Sequence, residues 1–484
     1  MSSLKGNIIL NYINTLSGLI FPIVTFPYAA RVLQPEGIGV VNFLNSIIGY
    51  IVLLTSLGIP LYAVREIAKC RDDIELRNRT TIEIVILSTL LSILGYIAVF
   101  LLGLYVPRIH EDVMLFYVLS LTILFTGIGV QWFYQGIEDF VFITIRGLII
   151  RFLSAASLFI FVRDKNDLLI YGLVIVGSTV GGNIINFVHL RNYLNLKSVN
   201  WKKIAIGRHV RPAIRIFLLN IIISIYINLN TIILGFMTDD RAVGLFTAGT
   251  RITHMLAVIV TSLGTVMIPR CSYLIGEGRI EEFNSVIKKA YHFMTFTALP
   301  ITFGIILLAQ PITLCFCGDK YADAIPVVIS TAPTILFIGI TGIIGMQILY
   351  PYGKENLVIA STIVAAVFNI VLNIILIPYF AASGAAISTL ISEFAILIAL
   401  TRLGKDFIPF KFLDRQVSFY VLSSIVMSAF VLICMEIGNI WLQVILGSLV
   451  GAFVYLAILF IVKDTIIQES ICLIVNKIKS HKLF

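Results

Sequence analysis

FPIVTFPYAARVLQPEGIGVVNF, residues Phe21 to Phe43, decides the fold. An apolar helix carrying Pro22 and Pro27 ends at Arg31. A short polar turn follows, Gln34-Pro35-Glu36-Gly37, and a new apolar helix opens at Ile38. The pattern returns at midlength as TIILGFMTDDRAVGLF, Thr231 to Phe246. Gly39 corresponds to Gly244, an offset of 205 residues (244 − 39). Thr55-Ser56-Leu57-Gly58 recurs as Thr261-Ser262-Leu263-Gly264, an offset of 206 (261 − 55). A hydrophobic chain that repeats its first hairpin predicts two homologous membrane lobes with a substrate site between them.

The rest of the chain agrees with that class. Of 484 residues, 59% are hydrophobic and 13% charged, with a mean hydropathy of +1.00. Runs of about 20 apolar residues recur, which makes a polytopic helical membrane protein and excludes the short alternating strands of a barrel. The expected architecture is an all-α integral membrane protein of about 14 spans. The first two are 8–32 and 38–60; the last two are 416–437 and 440–462. The expected division is an N-terminal lobe at 1–190, a linker at 191–211, a second lobe at 212–403, and two extra helices with an amphipathic tail at 404–484. The tenth span, 322–350, is long, and Pro326 and Pro333 are expected to unwind its start. The N-terminus has one lysine and then a full-length span, so the first helix is expected to stay in the membrane. The six cysteines read as apolar filler, including Cys315 and Cys317.

Lysine and arginine set the orientation. With a cytoplasmic N-terminus, 26 of the 35 fall in cytoplasmic segments and 6 in outer ones. The three that remain lie within spans: Arg146, Arg151 and Arg251. Both termini and the Arg191–Arg211 linker are therefore expected in the cytoplasm. The net charge of +9 is accounted for by loops facing anionic lipid, with no nucleic-acid partner. Ala63–Thr80 and Arg270–Ala290 read as equivalent amphipathic linkers. KSVNWKKIAIGRHVR, in the lobe linker, and the tail with Ile467, Ile471, Ile474 and Ile478 read as interfacial segments.

No Walker A sequence, HExxH helix or GxSxG elbow occurs, and no paired-aspartate metal site is seen, so neither enzymatic chemistry nor a cofactor or metal is expected. The candidates are instead polar groups at membrane depth, which are costly there and must face protein or water. Arg151 lies near the middle of the fifth span and Arg146 one and a half turns nearer the cytoplasm. Arg251 and His254 share a face of the eighth span. Each has a structural alternative, a buried pair or a packing contact. Arg31 ends the first helix at the outer surface. Glu393 is the most deeply placed carboxylate, a candidate for proton or sodium coupling or a partner for an arginine. Pro22 and Pro27 are hinge candidates. Glu138 and Asp139 sit at a cytoplasmic turn as gate or cap. Asn220, Asn228, Asn230, Asn369 and Asn373 read as interhelical hydrogen-bonding groups.

Two of these stretches carry a resemblance. The turn YAARVLQPEGIGVVNF and the segment VQWFYQGIEDFVFITI, Val130 to Ile145, resemble lipid-linked oligosaccharide flippases of the Wzx type. These belong to the multidrug/oligosaccharidyl-lipid/polysaccharide exporter superfamily. The resemblance covers roughly the first four hundred residues. It implies a flippase for undecaprenyl-diphosphate-linked oligosaccharide in a bacterial cytoplasmic (inner) membrane, serving O-antigen, capsule or other surface polysaccharide. It also implies arginines lining the cavity, which favours Arg251, and a polysaccharide polymerase as a downstream partner. A cation-coupled multidrug exporter of the same superfamily is the alternative transporter; a membrane glycan polymerase or ligase is the alternative from another class.

Overall fold

The structure is a computed structural model that describes residues 4–194 and 201–469, with the backbone alone at 4–16, 19, 218–228, 263, 265 and 266. Part of the lobe linker, the tail beyond 469 and the side chains of Asn220 and Asn228 lie outside the described residues. All regular structure among the described residues is helical. Among the described residues ten helices are long and apolar enough to cross a membrane, or eleven if one bent pair counts as a single span. The chain forms two compact units, residues 1–247 and 248–484.

The first unit is built around α1 (Leu4–Ser56). The expected turn inside it narrows to one residue, Gln34, at φ 62°. Gln34 precedes Pro35, whose ring disfavours helical backbone in the preceding residue. Pro22 and Pro27 lie within helical backbone. After α1 come α2 (Ile59–Lys69), α3 (Ile74–Tyr105), the single turn α4 (Pro107–His110), α5 (Val113–Gly127), α6 (Gln131–Gly136), α7 (Phe140–Phe161), α8 (Leu168–Leu190) and α9 (Gly207–Met237). Helix α1 packs on α3, α5, α7 and α9.

The amphipathic linker Ala63–Thr80 is present, and it is helical. It is α2, with Ile59, Tyr62, Ala63 and Ile67 buried, followed by α3, whose start is capped by Asp73 accepting from the Leu76 N–H at 3.0 Å. One expectation changes here: the span expected at 113–137 breaks after Gly127. The Asn183 amide of α8 donates to the Phe125 carbonyl at 3.0 Å, and a side chain at Gly129 would overlap that amide. A side chain inserted into the backbone ladder is a recognised cause of such a break.

Helix α10 (Asp240–Gly276) begins in the first unit, against the start of the second half of α1. A Cβ on Gly39 would overlap the Asp240 carbonyl, and a Cβ on Gly244 would overlap the Pro35 carbonyl. Both positions therefore need glycine for backbone to meet backbone. Around this contact Arg241 pairs with Glu36 at 3.0 Å, and Arg108 pairs with Asp240 and, at 2.7 Å, with Glu111.

The second unit continues α10 and adds α11 (Ile280–Leu307), α12 (Ala309–Cys317), α13 (Ile325–Thr331), α14 (Thr334–Gly342), a π-helical segment Ile343–Leu349, α15 (Glu355–Leu403), α16 (Arg415–Cys434) and α17 (Ile440–Ile461). The Arg270–Ala290 linker is again helix, interrupted at Gly278 with φ 70°. Glu281 and Glu282 sit in the first turn of α11, where acidic residues complement the helix dipole. The helix expected at 291–316 breaks at Leu308. Pro311 follows four residues after Leu307, so its ring opposes that carbonyl and offers it no N–H. The expected unwinding is present near Pro333, where the chain bends by 40° between Thr331 and Thr334, but not at Pro326, which takes the first turn of α13. Helix α15 breaks once, at Ala381 (φ 44°).

Candidate functional site

The intramembrane arginines of the first unit both come from α7. Arg146 points between α6 and α8. Its Nη2 donates to the Gln131 Oε1 at 3.1 Å, and its guanidinium lies over Gly182, where any side chain would displace it. The residue is 9% exposed and its Nε has no hydrogen-bond partner. Among the described residues no carboxylate lies within ion-pair distance of Arg146. Arg151 donates from Nη1 to the Ser17 hydroxyl of α1, beside Gly18. A guanidinium keeps its charge in a protein, so α7 holds two permanent positive charges in an otherwise apolar helix. Gln131, the partner of Arg146, is the second residue of the quoted segment Val130–Ile145, which sequence reading left unassigned.

The other candidates are placed as follows. Arg251 is half-buried and His254 exposed on α10. Thr253 between them turns inward and hydrogen-bonds the Thr331 hydroxyl at 3.2 Å. Glu393 is 7% exposed on α15, five residues beyond the buried Ser388 and next to the buried Ser392. Asn373 donates to Asn369 at 3.0 Å within the same helix. Arg31 is exposed, one turn before the break at Gln34. Glu138 has φ 63° and pairs with Arg71 at 3.3 Å. Asp139 caps α7 by accepting from the Phe142 N–H at 3.2 Å, and also accepts from the Tyr193 hydroxyl at 3.2 Å.

One cluster escaped the sequence reading. Glu83 of α3 has no solvent exposure, yet it is an ionised-type group surrounded by donors. It accepts from Arg79 Nε at 2.9 Å, Arg208 Nη2 at 2.6 Å, the Ala205 N–H at 2.7 Å and His209 Nε2 at 2.8 Å. The Tyr62 hydroxyl closes the chain on His209 Nδ1 at 2.7 Å. Burial pushes the His209 imidazole below its ordinary value, only partly offset by the hydrogen bond to Glu83. The neutral ring satisfies both short contacts with Nε2–H donating to Glu83 and Nδ1 accepting from Tyr62, which leaves Arg208 Nε, 3.2 Å from Nε2, to donate to Glu83 Oε2 at 2.8 Å. Three of these partners, Ala205, Arg208 and His209, come from the stretch read as an interfacial linker. The cluster pins the end of that linker to α2 and α3.

Comparison with known proteins gives a consistent result. The sequence model of a family described as "Polysaccharide biosynthesis protein" matches residues 4–275, and that of a family described as "MatE" matches residues 216–375. A "Putative O-antigen transporter" of Escherichia coli (strain K12) is 23% identical over 391 residues, spanning 81% of this chain and 94% of that protein. Among solved structures, the lipid II flippase MurJ in an inward closed conformation superposes with a TM-score of 0.75 at 15% identity, covering 95% of this chain and all of that one. An inward-facing multidrug resistance MATE family transporter of the MOP superfamily gives 0.64 at 16% identity, covering 83% of this chain and 98% of that one. At such identities the structural likeness is one of fold.

Proposed function

We infer the function from one premise: this chain belongs to the polysaccharide biosynthesis protein family, whose model matches more than half of its length. It is a multi-pass membrane transporter and not an enzyme. Its cargo is a lipid-linked glycan, which it carries from one leaflet to the other. The finer reading is an undecaprenyl-diphosphate-linked oligosaccharide repeat unit, moved across a bacterial cytoplasmic membrane for surface polysaccharide synthesis.

The observation that carries this reading is Arg146. A buried guanidinium with one amide acceptor and no carboxylate is an unfinished site for an anion. A diphosphate supplies the missing acceptors; a cationic drug would be repelled by Arg146 and Arg151. On this reading Arg151, Arg251, Arg31 and His254 are further contacts to the head group, and Glu393 is the coupling carboxylate for protons or sodium. The glycan rides in a wet cavity and the polyprenyl tail stays in lipid.

Movement by alternating access has support in the helix plan. A 53-residue helix measures about 80 Å if straight, far more than the ~30 Å hydrocarbon core. Taking α1 and α15 as two crossings each, and adding α9 and the bent pair, turns ten spans into fourteen. That is the number required by two six-helix lobes and two extra helices. The reciprocal glycine contact of Gly39 and Gly244 then serves as a seal on the outer side.

The test is reconstitution with a defined polyprenyl-diphosphate oligosaccharide. Arg146→Ala is expected to slow flipping by about tenfold or more, the loss of at least one charge-assisted bond, while Arg146→Lys retains part of the activity. Wild-type flipping by Arg146→Ala, in a properly inserted protein, overturns the anion-site reading.

A further inference from the structure

A cavity of about 450 Å³ lies in the second unit, and none of the candidate site residues above is among its lining. It sits between α10, α11 and the segment from Gly339 to Gln347. Its walls are apolar, formed chiefly by Val260, Met267, Ile268, Met294, Ile343 and Met346. From Val260 to Ile268 the α10 wall spans nine residues, about 12 Å of helix.

Two polar features interrupt these walls. Gln347 is 5% exposed, lines the cavity, and its Oε1 has no hydrogen-bond partner. Its Nε2 lies against Gly264, where any side chain would overlap it. Gln347 belongs to the π-helical segment, a departure from regular helix that is frequent at binding sites. The second feature is Lys289, exposed, with Lys288 beside it in sequence. Lys289 Nζ pairs with Glu469 Oε1 at 2.9 Å, and both side chains are more than half exposed. Such a solvated pair is weak and leaves the lysine available to a competing anion. Lys289 is the charged residue of the lining, and an anion that displaces Glu469 meets a single positive charge at this edge. The charge tally assigns the region to the cytoplasmic side, hence to the inner leaflet.

An apolar groove, one positive charge and one buried acceptor lacking a donor together specify a ligand. It has a hydrocarbon chain, a single negative charge and a hydroxyl near that charge. A phosphodiester fits the charge better than a diphosphate. We propose that this groove seats one acyl chain of phosphatidylglycerol from the inner leaflet. Its phosphate meets Lys289 and its head-group hydroxyl donates to Gln347 Oε1. The site is a lipid site distinct from the arginine site and independent of the cargo.

The experiment is native mass spectrometry of the full chain in detergent, titrated with phosphatidylglycerol or with phosphatidylcholine of the same acyl chains. Wild type is expected to bind phosphatidylglycerol about tenfold more tightly, the equivalent of one charge-assisted contact. Gly342 lines the groove, and a Cβ there meets nothing within 4 Å, so Gly342→Leu places its side chain in the groove. This variant is expected to lose binding of both lipids. Lys289→Gln, a surface change that folding tolerates, is expected to abolish the preference while leaving phosphatidylcholine binding unchanged. The proposal is overturned if wild type shows no preference, if Lys289→Gln keeps it, or if folded Gly342→Leu binds phosphatidylglycerol like wild type. It is also overturned if the lipid displaced by Gly342→Leu is a polyprenyl phosphate.

Discussion

Glu83 and Arg146 are both buried charges of the first unit, and the protein treats them in opposite ways. Glu83 receives two arginines, a histidine and a backbone N–H. Arg146, with five N–H donors to place, has one amide oxygen and a buried Nε with no partner. A buried charge costs several kcal/mol unless its surroundings complete it. Where they do, as at Glu83, the charge is a joint between α2, α3 and the start of α9. Where they do not, as at Arg146, the deficit is what the proposed diphosphate would fill.

The largest way to break this contrast is at the joint. Glu83→Ala leaves Arg79, Arg208 and the Ala205 N–H without their acceptor. A loss of about 3 kcal/mol is expected, the lower end of the range for breaking a buried pair, because Arg79 and Arg208 reach water. Unfolding of the purified protein in detergent measures it, and an unchanged midpoint would remove Glu83 from the structural role. Next is the glycine contact. Gly39→Ala is expected to cost about 1–3 kcal/mol by overpacking. Gly49→Ala, where a Cβ meets nothing within 4 Å, should instead gain about 0.5–1 kcal/mol in the same helix. Equal behaviour of the two alanines would discount the contact.

Arg146→Met sharpens the comparison from the other side. Removing a charge whose partners are incomplete should change stability by no more than about 1 kcal/mol, or raise it, in contrast to Glu83→Ala. A destabilisation as large as that of Glu83→Ala would make Arg146 a structural group after all. The smallest effect belongs to the exposed pair Glu36–Arg241. A double-mutant cycle on it should give about 0.2–1 kcal/mol, shrinking with added salt; a larger, salt-insensitive value would move this pair into the class of Glu83.

What could be read from the sequence divides along the same line as local and distant causes. The breaks at Gln34 and near Pro333 are written in neighbouring residues, because proline acts on the residue before it and on the carbonyl four back. The break after Gly127 was not legible, since it depends on Asn183, which is distant in sequence. Arg146 stood out because a charge in an apolar run violates its surroundings. Gln131 did not, because an amide beside a tryptophan breaks no rule. Glu83 was hidden for another reason. It sits near the end of a span where a carboxylate meets water in most sequences, and its partners Arg208 and His209 are about 125 residues away. The family turn at Gln34-Pro35-Glu36-Gly37 was read correctly as a boundary, but its packing against the Asp240 and Gly244 region followed only from the fold.

The glycine contact also sets a schedule for synthesis. Gly39 leaves the ribosome 201 residues before Asp240, the residue whose carbonyl it meets (240 − 39). At about 5–20 residues per second, that interval is roughly 10–40 s. Throughout it the helix break at Gln34 is in place without the surface it packs on, and the first unit remains incomplete until the chain has passed Gly244. A nascent chain paused at residue 190 has all of α1 through α8 but lacks the other half of this contact. Between the synthesis of Gly39 and that of Asp240 the first half of this contact therefore exists without the second.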